Sequence, residues 1–278
     1  MKIIIAYRGI PHARGWATGD SLARAFEFLG HEVIRYGNYY CTTEWIDSKP
    51  SDIHADALIY CECNDGDPQY HELSNFTGPR IYWEFDTAMH REFTAYWLAH
   101  MKFNYIFMAN ALLAPEYGAI YLPYAFDNLI RNAVKHSDKK GAAIIGNPFG
   151  ARLAFAIDLG IPVISNIYGE EYDRVLCSLK CHIHYHASGG SGLIVMRPFE
   201  TMGLSTALLA ERTAELEALF IDGRHCAMFS TIEEARTKLA AILVNDEDRI
   251  LLEEQGRKEI LAHHCYIHRA QTLLDALI

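Results

Sequence analysis

The sequence predicts an α/β protein made of two successive domains. Three observations carry that expectation. Short β-branched or apolar runs alternate with helical patterns from residue 2 onward, as in parallel sheets joined by crossover helices. The alternation stops in a polar stretch, His136-Ser137-Asp138-Lys139-Lys140, and then restarts at Gly141. A length of 278 residues suits one large or two medium domains.

In order, Lys2–Tyr7 reads as a buried strand, followed by a loop with Gly15, Thr18 and Gly19. Ala17-Thr18-Gly19-Asp20 can start a helix running to about Leu29, with Leu22, Ala25, Phe26 and Leu29 on one face. Gly30 ends it, and 31–36 is the next strand, so the opening is a βαβ unit with parallel strands. The loop lacks the three spaced glycines and the later acid of a dinucleotide fingerprint, so NAD is not expected. Further strands read at 57–61, 80–84, 105–108 and 119–122, with a helix over 90–101. Domain one is 1–127, and 128–140 reads as a linker.

The second domain, 141–278, opens with a strand at 141–145, a Gly146-Asn147-Pro148-Phe149-Gly150 turn and a helix to Leu159 that carries Arg152. Strands follow at 162–166, 181–186, near 206–209 and near 225–229. Helices read at 170–179, after Arg197, and at 231–244, 247–262 and 266–277.

Half of the residues are hydrophobic and 22% are charged, which is globular composition. The formal charge is −10 and falls equally on residues 1–135 (11 basic, 16 acidic) and the remainder (14 basic, 19 acidic). Neither half has the basic excess of a nucleic-acid binder. Seven cysteines without framework spacing point to reduced thiols and a cytoplasmic setting. Cys61/Cys63 and Cys177/Cys181 match no common zinc spacing and read as buried thiols. The N-terminus lacks a signal-peptide layout, and no apolar run reaches the ~18 residues of a spanning helix, so no membrane insertion is expected.

The stretch with the most chemistry is Val195-Met196-Arg197-Pro198-Phe199-Glu200, preceded by Ser188-Gly189-Gly190-Ser191-Gly192. A flexible loop delivers the chain to a helix start near Pro198, where free N–H groups attract anions. Arg197 can grip a phosphate, and Glu200 can accept two hydroxyl hydrogen bonds. Phosphate and diol recognition together suit a nucleotide, although an ordinary helix with an acidic first turn has the same pattern.

The motif order Leu122-Pro123…Asp127, Gly146-Asn147…Arg152, Ile167-Tyr168-Gly169…Tyr172, Leu176–Lys180, Arg197-Pro198-Phe199-Glu200, Leu219–Gly223 and His264–Arg269 resembles the spore-maturation-type glycosyltransferases, a GT-B family of bacteria and phages. The resemblance covers 141–278 and, more loosely, 80–127. It implies two Rossmann-like domains facing a cleft, the donor on domain two, the acceptor against domain one, and a last helix that packs back on domain one. It implies that Glu200 binds the donor ribose, that Arg197 and Arg152 neutralise donor phosphates, and that no metal is essential. No cofactor is then expected beyond a nucleotide diphosphate sugar as co-substrate. Many retaining members carry a second glutamate eight residues before the ribose-binding one. That position here is Gly192, so retention or inversion is left open.

Ligands of open α/β sheets bind beyond the carboxyl ends of strands. Asp86 and His90, just after the 80–84 strand, can take a proton from an acceptor hydroxyl, with Glu84 a weaker alternative; they equally suit a helix cap and a surface position. His182, His184 and His186 alternate on one strand face, but span about 13 Å, too far for one ion. His184 or His186, beside Ser188 and Gly189, can instead contact donor or sugar. Gly15, Gly146, Asn147 and Tyr168 are placed by the same logic, Tyr168 beside a nucleobase. The reading is a glycosyltransferase that moves a sugar from a nucleotide diphosphate sugar to a hydroxyl acceptor. The alternatives are a phage-type DNA-base (hydroxymethylpyrimidine) glycosyltransferase and a non-catalytic nucleotide- or sugar-binding protein.

Overall fold

The computed structural model describes residues 1–7, 15–36, 54–61, 75–85, 91–133, 138–186 and 194–277. The chain divides into two compact units, Met1–Tyr124 with Tyr266–Ile278, and Ala125–Cys265.

The first unit contains β1 (Lys2–Ala6), α1 (Thr18–Phe28), β2 (Glu32–Tyr36), β3 (Ala57–Cys61), β4 (Arg80–Glu84), α2 (Arg91–His100), β5 (Tyr105–Met108) and β6 (Ile120–Tyr121). The six strands form one parallel sheet in the order β2-β1-β3-β4-β5-β6, with Ile4 opposite both Ile34 and Leu58. Burial on both faces explains the continuous apolar runs: all five residues of β3 are buried. At the start of α1, Asp20 accepts from the Ala17 N–H (3.3 Å) and from the Tyr7 hydroxyl (2.5 Å). The C-terminal helix of the chain (Tyr266–Leu277) belongs to this unit and packs on α1. Its Arg269 donates to the carbonyls of Pro123 (2.8 Å) and Tyr124 (2.9 Å), satisfying two backbone acceptors where the chain leaves the unit.

The second unit contains β7 (Ala142–Ile145), α3 (Gly150–Leu159), β8 (Val163–Ile164), α4 (Gly169–Ser178), β9 (Cys181–His184), α5 (Arg197–Gly203), β10 (Ala207–Glu211), α6 (Ala214–Leu219), β11 (Ala227–Phe229), α7 (Ile232–Val244) and α8 (Asp246–His263); the C-terminal helix above is α9. Its five strands are also parallel, in the order β11-β10-β9-β7-β8. The core combines Ile144, Ile183 and Leu209 with the stacked rings of Phe155, Tyr185 and Phe229. Thr213, Thr231 and Asn245 cap α6, α7 and α8 by accepting from backbone N–H groups.

Several readings change. Residues 128–133 and 138–140 are part of the second unit rather than a linker. Arg131 is buried there, and Lys139 pairs with Glu253 at 3.0 Å. Polarity alone misled, because these charges are buried in pairs. The 162–166 strand is confined to Val163–Ile164, since Asn166 adopts φ +60°. The 181–186 strand stops at His184, where pairing with β10 ends, so His186 lies beyond it. The six-residue helix α6 was not anticipated, being too short to show a helical period.

Candidate functional site

Both sheets share one topology: the first strand is flanked by the second on one side and the third on the other. The switch point of the second unit therefore lies between β7 and β9, and ligands bind at the carboxyl ends of such strands. Gly146 ends β7 with φ +154° and is buried. A Cβ built there would lie 3.0 Å from Arg152 Nη1 and 3.5 Å from Arg197 Nη2. The two guanidinium groups thus converge on one stretch of backbone that has no side chain. Arg152 Nη1 also donates to the Asn147 carbonyl (3.1 Å) and Nε to that of Tyr185 (3.0 Å). Arg197 Nε is buried without a hydrogen-bond partner among the described residues. Among these residues neither arginine has an ion-pair partner. Burial, and then the neighbouring charge of Arg197, push Arg152 down to about 10. Two like charges this close repel, and a bound anion would relieve that repulsion.

Histidines line the same place. His182 is fully buried; burial first, and then Arg197 and Arg152, push it down to about 3. Its Nε2 accepts from the Ile145 N–H (3.3 Å), so the neutral ring carries its proton on Nδ1, which donates to Thr201 Oγ1 at 2.7 Å. That hydroxyl donates to the Arg197 carbonyl at 2.7 Å. One chain of bonds therefore joins the end of β7 to the first residue of α5. His184, at the end of β9, is buried and held well below its ordinary value by burial, His182 and the two arginines. His186 is lowered mainly by burial, then by Arg152 and Arg197. All three imidazoles are thus kept neutral beside the arginines.

Glu200, one turn along α5, is buried. Its Oε1 accepts from Arg131 Nη1, and its Oε2 from the Tyr172 hydroxyl at 3.0 Å. Arg131 also grips Asp173, with Nε at 3.1 Å from both carboxylate oxygens. Burial works against the Arg131 charge, but Glu200 and Asp173 outweigh it and raise its pKa. Burial raises Asp173 despite Arg131, and burial followed by Glu200 holds Tyr172 well above its ordinary value, as a neutral donor.

The fold thus brings Gly146, Asn147, Arg152, His184, His186 and Arg197 to one sheet end, with Glu200 on the same short helix as Arg197. Tyr168 is the 44% exposed residue preceding α4. Gly15 lies in the first unit with φ +80°. Asp86, His90, Ser188, Gly189 and Gly192 lie outside the described residues. Arg131 and Asp173 were missed from sequence, and His182 had been weighed only as a metal ligand. No local signal marks them, since their partners stand 69, 42 and 19 residues away. Among the described residues no group of three His, Cys, Asp or Glu side chains can hold a metal ion, and no helix is long and apolar enough to cross a membrane. Cys61, Cys177, Cys181, Cys226 and Cys265 are buried free thiols, and burial pushes Cys226 up to about 12.

Two parallel-sheet α/β units of this topology match the GT-B fold. Residues 127–275 match the glycosyl transferase-like family, and the chain belongs to that family and is a glycosyltransferase. No curated protein matches the chain in sequence. Among solved structures it resembles the β-glucosyltransferase of phage T4 in complex with UDP and Mn2+, at TM-score 0.68 and 13% identity, covering 100% of this chain and 99% of that one. It resembles sucrose-phosphate synthase from Thermosynechococcus elongatus at TM-score 0.64 and 9% identity, covering 98% and 97%. A glycosyltransferase from Rickettsia africae is similar at TM-score 0.63 and 9% identity, covering 99% and 97%. At these identities the likeness is one of fold.

Proposed function

We propose that this glycosyltransferase transfers a sugar from a nucleoside diphosphate sugar to a hydroxyl acceptor, with the donor held by the second unit. The observation that carries the reading is the convergence of Arg152 and Arg197 on Gly146, with no carboxylate partner among the described residues. Departure of a nucleoside diphosphate develops negative charge, and preorganised guanidinium groups stabilise such charge most where water is excluded. Glu200, close by on α5, suits the ribose hydroxyls. With two arginines to balance the diphosphate, the reaction needs no divalent metal. Asp86 is the first candidate for accepting the hydroxyl proton and His90 the second, on their position after β4. The motif order further supports membership of the spore-maturation-type group, and the buried free thiols a reducing, cytoplasmic setting.

The test is nucleoside diphosphate release from a panel of nucleotide sugars beginning with UDP-glucose, with and without EDTA. Turnover that survives the chelator supports the reading; activity that returns only with Mn2+ removes the metal-free part of it. A second acceptor reading comes from phage T4 β-glucosyltransferase, described as a DNA-modifying enzyme and matched along the full length of both chains. Labelled sugar transfer to hydroxymethylpyrimidine DNA, run beside small hydroxyl acceptors, separates the two. The charge of −10 favours the small acceptors. Asp86→Asn should keep donor affinity and lose about 10² to 10⁴ in turnover; near-normal turnover would leave Asp86 as a helix cap. A protein that binds the donor but neither hydrolyses nor transfers it would be the non-catalytic alternative.

A further inference from the structure

We infer that Arg131 is a positioning residue for Glu200, fixing which lone pairs of that carboxylate face a ribose diol. The inference rests on the reading that Glu200 takes the ribose. Arg131 is buried and cannot swing away. Asp173 holds one edge of its guanidinium through Nε (3.1 Å to each oxygen) and Nη2 (2.5 Å to Oδ1). Its Cζ lies over the rings of Phe126, at 5.5 Å, and Tyr172, at 5.7 Å. The remaining donor, Nη1, meets Glu200 Oε1. Tyr172, one residue before Asp173 on α4, donates to Oε2. Each Glu200 oxygen therefore has one fixed protein donor and keeps one lone pair. Two neighbouring lone pairs on one carboxylate are what two vicinal hydroxyls require.

The charges agree with this division. One guanidinium faces two carboxylates, so the cluster retains one negative charge for hydroxyl donors to satisfy. The other groups around it are Asp127, which acts on Asp173; Arg197 on the same helix; His182, through Thr201; and Arg257 of α8, which donates to the Gly203 carbonyl at the far end of α5. None of these donates to Glu200. Without Arg131, two buried carboxylates would share the space, and one would take up a proton near neutral pH. A protonated Glu200 is a poorer acceptor for a diol.

The experiment measures affinity for UDP and 2′-deoxy-UDP by calorimetry, with ADP and 2′-deoxy-ADP as the second pair, from pH 5.5 to 8. The parent should favour the ribonucleotide, and Glu200→Ala should remove that preference. If Glu200→Ala changes nothing, the ribose reading fails and takes this inference with it. If Glu200→Ala does act, Arg131 is tested separately. Arg131→Met should cut the ribo/deoxy preference by about tenfold or more, the worth of a charged hydrogen bond. Its affinity should also rise with pH more steeply than the parent's. Adding Asp173→Asn should restore the parent's pH profile by removing the competing carboxylate. Should Arg131→Met fail to fold, Arg131→Lys keeps the charge without the fork and should still lose preference. Equal weakening toward both nucleotides with a parental pH profile, or an unchanged preference in the folded variants, overturns the inference.

Discussion

The second unit places its arginines in two opposite situations a few residues apart. Arg131 is saturated: two carboxylates and two aromatic faces enclose it, and its charge is held more firmly than in water. Arg152 and Arg197 are half-satisfied: they approach the same glycine, have backbone carbonyls or no partner among the described residues, and, after burial, Arg197 lowers Arg152 and both lower three histidines. A saturated buried charge is scaffold, because removing its partners costs the protein. A pair of like charges without a counter-ion carries a repulsion that a bound anion would relieve. The contrast separates what holds the site together from what the site holds.

The sharpest way to break this contrast is to remove each kind of arginine and compare stability. Arg131→Met leaves buried carboxylates uncompensated and should lower unfolding free energy by about 3–5 kcal/mol, seen in urea titration. Arg197→Ala should leave stability nearly unchanged, since it relieves repulsion with Arg152. Equal losses in both variants would erase the distinction. In turnover the order reverses: Arg197→Ala should cost roughly 10² to 10³ in kcat, the scale for one preorganised donor at developing charge. Next, Glu200→Ala should weaken nucleotide binding by about tenfold to more than a hundredfold. Calorimetry showing an unchanged Kd would end its assignment to the donor.

The smallest effect concerns pH. His182 is held at about 3 in the fold, against about 6.5 in the unfolded chain. The unfolded state therefore binds more protons between those values, and stability falls as pH drops below about 6.5. The slope attains at most about 1.4 kcal/mol per pH unit for this ring. His182→Asn, which keeps a donor for Thr201, should flatten the fall in Tm between pH 7 and 5. A parental slope in that variant would place the proton uptake elsewhere.

Much of the fold was legible in the sequence because parallel strands buried on both faces leave continuous apolar runs. β3, β4 and β5 fall where the runs at 57–61, 80–84 and 105–108 put them. The short edge strand β8 and the six-residue α6 were misjudged, since two to six residues hold too little period to read. At the site, Arg197 and Glu200 were visible as a spaced pair at a helix start, and Arg152 as a cation after a glycine turn. Arg131 was read as linker because a charged residue in a polar stretch looks solvated.

By itself, then, the sequence determined the α/β class, the positions of most strands and the residue types able to meet a diphosphate and a diol. Those properties are local, written in periodicity and in spacing within one turn or loop. Tertiary structure decided which charges are compensated. Only the folding of residues 131, 173 and 200 to one point saturates Arg131, and only the switch between β7 and β9 sets Arg152 and Arg197 against a glycine with no counter-ion among the described residues. Coulombic partnership depends on distance through space and on exclusion of water, and neither quantity exists until the sheet is assembled.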